Sequence, residues 1–107
     1  MKVYLSGPMR GYPCFNFLSF DYAKRNLEAA GHEVYSPADF DRAAYPDHDF
    51  NTNLEPVGWD INKVLANDFI AVCQCDAIYL LKGWENSVGG KQELAVALAA
   101  SKKVIVQ

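Results

Sequence analysis

The sequence predicts a small doubly wound α/β domain, with a mainly parallel sheet of four to five strands and helices on both faces. Three observations predict it. Short apolar runs, KVYLS at 2–6, HEVYSP at 32–37, DAIYLL at 76–81 and KVIVQ at 103–107, alternate with stretches whose apolar residues recur every three or four positions. Turn formers such as Gly7-Pro8 and Pro37 close the runs. The chain has 107 residues and 50% hydrophobic content, enough for one core and too little for two. Strands alternating with helices need right-handed crossovers, so the strands lie parallel and covered on both sides, as in flavodoxin-like and Rossmann-like sheets. The expected unit is a single domain, residues 1–107, without a linker.

Each element has its own signal. KVYLS reads as a buried strand ended by Gly7-Pro8. Asn16 is placed to cap a helix whose positions Phe17, Phe20, Ala23, Leu27 and Ala30 share a face, and Gly31 is placed to end it. HEVYSP reads as a second strand ended by Pro37. Residues 38–58, which include YPDHDFNTN, show no sustained periodicity beyond a short helical turn near ADFDRA, so a long lid-like loop is expected there. A second helix is expected from about Asp60 to Cys75, then DAIYLL as a strand, KGWENSVGG as a loop, a third helix to about Ser101, and KVIVQ as the last strand. In such sheets ligands bind beyond the carboxyl ends of the strands, where strand order reverses. The loops after Ser6, Ser36, Leu81 and the last strand are where chemistry is expected.

Charge and composition narrow the partners. A net charge of −3, with Lys24-Arg25 and Lys102-Lys103 the only adjacent basic pairs, gives no footprint for a nucleic acid polymer. The start MKVYLSGPMRG lacks the apolar core of a signal peptide and no apolar run nears the ~20 residues that span a bilayer, so a cytoplasmic protein without membrane partners is expected. Cys14, Cys73 and Cys75 are odd in number with no second CxC or CxxC pair, and His32 and His48 are the only histidines. No disulfide framework or zinc site is indicated, and reduced, packed thiols and no metal are expected.

Two acids stand out. On the second helix Ile61, Val64, Leu65 and Val72 form an apolar stripe with Asp68 near its middle. The structural reading is a helix register other than the one assumed, or an aspartate capping nearby backbone; the functional one is a desolvated carboxyl with a raised pKa, suited to proton donation. Glu93 falls in the first turn or two of the third helix, on the shoulder of Leu94, Ala97 and Leu98. It reads either as an ordinary helix-start glutamate or as a carboxylate kept ionised by the helix dipole and free amides. Together they match a proton donor and a nucleophile for cleavage of a glycosidic bond.

Two glycine-containing loops flank these acids. SGPMRG offers backbone amides and Arg10, and NSVGG offers Ser87 and helix N-terminal amides; together they suit an anionic group such as a phosphate, or else are plain strand-to-helix turns. Neither is a GxGxxG nucleotide fingerprint, and GGKQ is not a P-loop. Among Trp59, Trp84, Tyr45 and Tyr4, aromatics that otherwise read as core, Tyr4 is placed to reach a carboxylate from the end of the first strand.

VYLSGPMRG, NDFIAVCQCDAIYLL and NSVGGKQELAVALAASKKVIV, in that order and spacing, resemble the nucleoside 2-deoxyribosyltransferase superfamily, including its branch of 2′-deoxynucleoside 5′-monophosphate N-glycosidases. RGYPCFNFLSFDYAKRNLEAAGHEVYSP resembles a short, poorly characterised branch of it. The resemblance covers nearly the whole chain as one deoxyribosyltransferase-like domain, least at 38–58. It implies Glu93 as the nucleophile at the anomeric carbon, Asp68 as general acid or sugar ligand, and Tyr4 as the residue orienting the nucleophile. It implies Arg10 and Ser87 as contacts to a 5′-phosphate. The expected substrate-binding set is Ser6, Gly7, Met9, Arg10, Gly11, Asn86, Ser87 and Gly89. Pro8 replaces a phosphate-binding serine, and the chain stops at Gln107 without the C-terminal extension of the transferases.

The expected activity is that of an N-glycosidase or deoxyribosyl transferase acting on a small-molecule 2′-deoxynucleotide or deoxynucleoside through a glycosyl-Glu93 intermediate, with no cofactor. The superfamily's habit of completing sites across subunits implies a homodimer or higher homo-oligomer. The alternative is a non-catalytic module that senses or sequesters a nucleotide in the same cleft.

Overall fold

The computed structural model describes residues 1–52 and 54–107; residue 53, inside the segment expected to be a lid, lies outside the described residues. Four strands, β1 (Lys2–Ser6), β2 (Glu33–Tyr35), β3 (Ala77–Leu80) and β4 (Lys103–Val106), form one parallel sheet in the order β2-β1-β3-β4. Among the described residues four α-helices connect them: α1 (Phe17–Ala29), α2 (Pro37–Ala44), α3 (Ile61–Gln74) and α4 (Val88–Ala99). The predicted doubly wound sheet is the one observed. Strand order reverses between β1 and β3, which fixes the crevice beyond Ser6 and Leu80 as the ligand position for this topology.

Alternation along the strands sorts the core into two layers. Tyr4, Ile78 and Leu80 pack against Ala71 and Val72 of α3, Cys75 just after it, and Ala97 of α4. On the opposite face Leu5 packs with Phe15, Phe17, Phe20, Ala23 and Ala38 beside α1 and α2. At the switch point the two strand-end loops nearly touch: a Cβ on Gly7 would lie 2.8 Å from Leu81 Cβ, so only glycine lets the chain pass there.

Several expectations change. Pro37 does not end β2; it is the first residue of α2, where its missing N–H costs no helix bond and its fixed φ suits the turn. Residues 38–58 are therefore not one loop, since they hold most of α2 and a 3-10 turn at Phe50–Thr52. Phe50 meets Phe15 edge to face at 5.7 Å and Phe17 at a tilt at 4.9 Å, and Arg42 bonds Asp21 on α1 at 2.6 and 3.1 Å. Asn16 precedes α1 without capping it: Cys14, Phe15 and Asn16 take φ of 52°, 54° and 60°, and Asn16 Nδ2 instead donates to Pro8 O at 2.9 Å. Non-glycine residues enter that region at a cost of roughly 1 kcal/mol or more each. Here burial of Phe15 and the bond to Pro8 hold them there. Leu98 is exposed rather than part of the α4 stripe, and of the thiols Cys75 is buried, Cys73 exposed and Cys14 partly covered beside Asn51.

Candidate active site

The chain runs from β1 into the loop at 7–12 and from β3 into a 3-10 turn at Trp84–Asn86, and between these two loops and helices α2 and α3 lies a cavity of about 320 Å³. Tyr4 and Ser6 sit two apart on β1, so both side chains leave the sheet toward α4. Ser87 caps α4, its Oγ accepting from Gly90 N at 3.0 Å, and this start places Glu93 in the second turn facing the sheet. Its carboxylate is held at both oxygens: Ser6 Oγ donates to Oε1 at 2.6 Å and Tyr4 Oη donates to Oε2 at 2.8 Å. Asp60, whose side chain accepts from Asn62 N at 2.9 Å, caps α3 and fixes the register that turns Asp68 inward with Ile61, Val64 and Leu65. Asp68 is 8% and Glu93 6% exposed, and both line the cavity.

Burial dominates the electrostatics. Desolvation raises the Asp68 pKa to about 8, helped by the charges of Glu93 and Asp41 and opposed by the polar groups of Asn67 and Tyr4 beside it. Desolvation also raises Glu93, to about 7, against the hydrogen bonds from Ser6 and Tyr4. This corrects the expectation of a fully ionised Glu93. In the second helical turn it meets no free amide, so the dipole offers less than burial removes. The order survives, with the Asp68 value above that of Glu93. Tyr4 is raised well above its ordinary value by burial and by the neighbouring carboxylates, so it remains a donor.

Of the residues singled out from sequence, Glu93, Asp68, Gly7, Met9, Arg10, Asn86, Ser87 and Gly89 line the cavity. Tyr4 and Ser6 stand behind Glu93 and touch the cavity through it. Gly11 does not line it; it is exposed at φ +83°, where the chain turns away after Arg10. Arg10 lies at the cavity mouth, over the ring of Trp59 at 4.9 Å and 3.5 Å from Glu55. Trp84 packs on the core, and Tyr45 lines a separate surface groove.

Sequence reasoning missed Asp41, a third carboxyl on the cavity wall, raised to about 6 by desolvation against the charge of Arg42. Its signal was present: it lies three and four residues after the buried Ala38 and Pro37, on the inner face of α2. It also missed Tyr35 and Asn67, which meet beside Asp68, with Asn67 Nδ2 donating to Tyr35 Oη at 2.8 Å. Among the described residues no group of three His, Cys, Asp or Glu side chains is arranged to hold a metal ion, and no helix is long and apolar enough to cross a membrane.

A family model described as "Domain of unknown function (DUF4406)" matches residues 1–106. No curated protein matches the chain. Among solved structures, a 2-deoxyribosyltransferase from the psychrotolerant bacterium Bacillus psychrosaccharolyticus is similar at a TM-score of 0.69 and 20% identity, over 99% of this chain and 71% of that one. A 2-desoxiribosyltransferase from Leishmania mexicana is similar at 0.69 and 16%, over 98% of this chain and 62% of that one. A CMP N-glycosidase from Clostridium botulinum is similar at 0.64 and 20%, over 99% and 70%. At these identities what is shared is the fold, over nearly the whole chain, as the sequence resemblance implied.

Proposed function

We propose that this chain, which belongs to the DUF4406 family, cleaves the N-glycosidic bond of a 2′-deoxynucleotide or deoxynucleoside by a retaining, two-step displacement at Glu93. The observation that carries the reading is one buried carboxylate, bonded at both oxygens by Ser6 and Tyr4, on the wall of a cavity that a second desolvated carboxyl, Asp68, also lines. Solved proteins of the same fold described as 2-deoxyribosyltransferases and as a CMP N-glycosidase support it.

In the first step a Glu93 oxygen bonds to the anomeric carbon while the C–N electron pair leaves with the base and the Asp68 carboxyl proton passes to it. Ser6 and Tyr4 each occupy one acceptor position of Glu93, fixing the carboxylate plane and leaving further lone pairs for attack. In the second step water, or another base, displaces the sugar, with the ionised Asp68 accepting a proton. Glu93 must be ionised and Asp68 protonated, which the values of about 7 and about 8 allow in a narrow band near neutral pH. Arg10 and the first residues of α4, Val88 to Gly90, line the cavity, which suits a 5′-phosphate bound there, with Ser87 holding that helix end in place. No cofactor is called for in this chemistry.

The test is release of free base from each deoxynucleoside and its monophosphate, with Glu93→Ala as control. Release by the wild type and none by the variant is expected; equal rates, or none in either, would remove the assignment. Adding a second free base separates transfer from hydrolysis by the appearance of a new nucleoside.

A further inference from the structure

Resting on that glycosidase reading, we infer that Tyr35 and Asn67 are a pair of positioning residues that hold the proton-donating carboxyl of Asp68 and the ring of Tyr4 in working alignment. Tyr35 ends β2 opposite Tyr4 in the strand register, so both rings leave the same face of the sheet. They stack at 5.3 Å with 11° between their planes. The stack fixes the plane of the ring whose hydroxyl donates to Glu93 at 2.8 Å.

At its other end Tyr35 Oη accepts from Asn67 Nδ2 at 2.8 Å. Asn67 immediately precedes Asp68 on α3, and successive helical residues point roughly 100° apart, so one can face the cavity while its neighbour faces β2. Pinning Asn67 therefore sets the rotation of α3 about its axis at the residue that carries the acid. The same amide stands next to the Asp68 carboxyl in the helix and favours its ionised form, so one side chain bears on both the acid and the tyrosine stack. The charged and titratable groups facing this cluster are Asp41, Glu93 and Tyr4 on the Asp68 side, and Asp41 and Cys75 on the Tyr35 side.

A mere tie between β2 and α3 would affect all substrates alike. A role in aiming Asp68 affects only those whose leaving base needs a proton. N-methylated bases that are already cationic, 7-methyl for a purine and 3-methyl for cytosine, depart with the C–N electron pair as neutral molecules and bypass the acid.

The experiment measures kcat for each natural deoxynucleoside monophosphate that releases base and for its N-methylated counterpart, in wild type, Asn67→Ala and Tyr35→Phe. Tyr35→Phe keeps the ring stack and removes only the hydroxyl, so it remains readable where Asn67→Ala folds poorly. Release of the natural base should fall about tenfold or more in both variants, while release of the methylated base stays within about threefold of wild type. Removing the Asn67 amide should also move the alkaline limb of the natural-substrate profile upward, because that amide favours the ionised Asp68. Equal falls for both substrates, or no fall, would overturn the inference and leave the glycosidase reading standing. Release of neither base by the wild type would overturn both.

Discussion

Replacing Glu93 by glutamine removes a charge that the fold holds at a cost, and the size of that cost follows from the structure. Burial lifts the Glu93 pKa from 4.5 to about 7. That is roughly 2.5 units at about 1.36 kcal/mol each, or about 3 kcal/mol. Because the folded pKa is the higher one, the native state binds the proton more tightly than the unfolded chain. The associated stability is fully present below the unfolded value of 4.5 and is lost as pH rises through about 7. Glutamine does not titrate, so Glu93→Gln lacks this dependence and also lowers the Asp68 pKa, which the Glu93 charge helps raise; both changes weaken the loss of stability with rising pH. Allowing for relaxation around the buried charge, the variant should gain about 2–3 kcal/mol on the wild type between about pH 4.5 and about pH 8.5. For a domain of this size that is a relative rise in Tm of roughly 10 °C. Thermal melts of both proteins at the two pH values measure it. A Tm difference that does not change with pH would show that Glu93 is not desolvated as described, and would remove the basis for its raised pKa.

Three further outcomes follow from the same geometry. Asp68→Asn cannot supply a proton and should lower kcat about 100-fold or more while abolishing the alkaline limb near pH 8, read from pH profiles of base release. Asp41→Asn removes a negative charge that helps raise Asp68, so the Asp68 pKa falls and the alkaline limb of the wild-type profile should move to lower pH. Arg10→Gln should raise KM for a deoxynucleoside monophosphate by about tenfold relative to the matching nucleoside, and an equal rise for both would place the phosphate elsewhere.

The parts of this architecture set by local periodicity were legible in the sequence. KVYLS matches β1 residue for residue, and the register of α3 placed Asp68 inward because its apolar neighbours recur at helical spacing. Glu93 was legible as a residue but not in its charge state, because α4 has alanines on several sides and gives no amphipathic signal to say which face is buried. The partnership of Ser6 with Glu93 spans 87 residues of chain and depends on how β1 and α4 meet, which no local pattern encodes. Asp41 was hidden by Pro37: the same residue stops a strand and starts a helix, and here it does the second. The segment after α2 takes its shape from Phe50 against Phe15 and Phe17, contacts between distant residues that composition alone does not reveal.

Covalent bonding of Glu93 to the sugar is read by mass spectrometry of protein rapidly quenched in acid during turnover of a deoxynucleoside monophosphate. A population carrying one added deoxyribosyl phosphate unit is expected, located on the peptide that contains Glu93 and absent from Glu93→Ala. Base release with no adduct, or with the adduct on another residue, would contradict it.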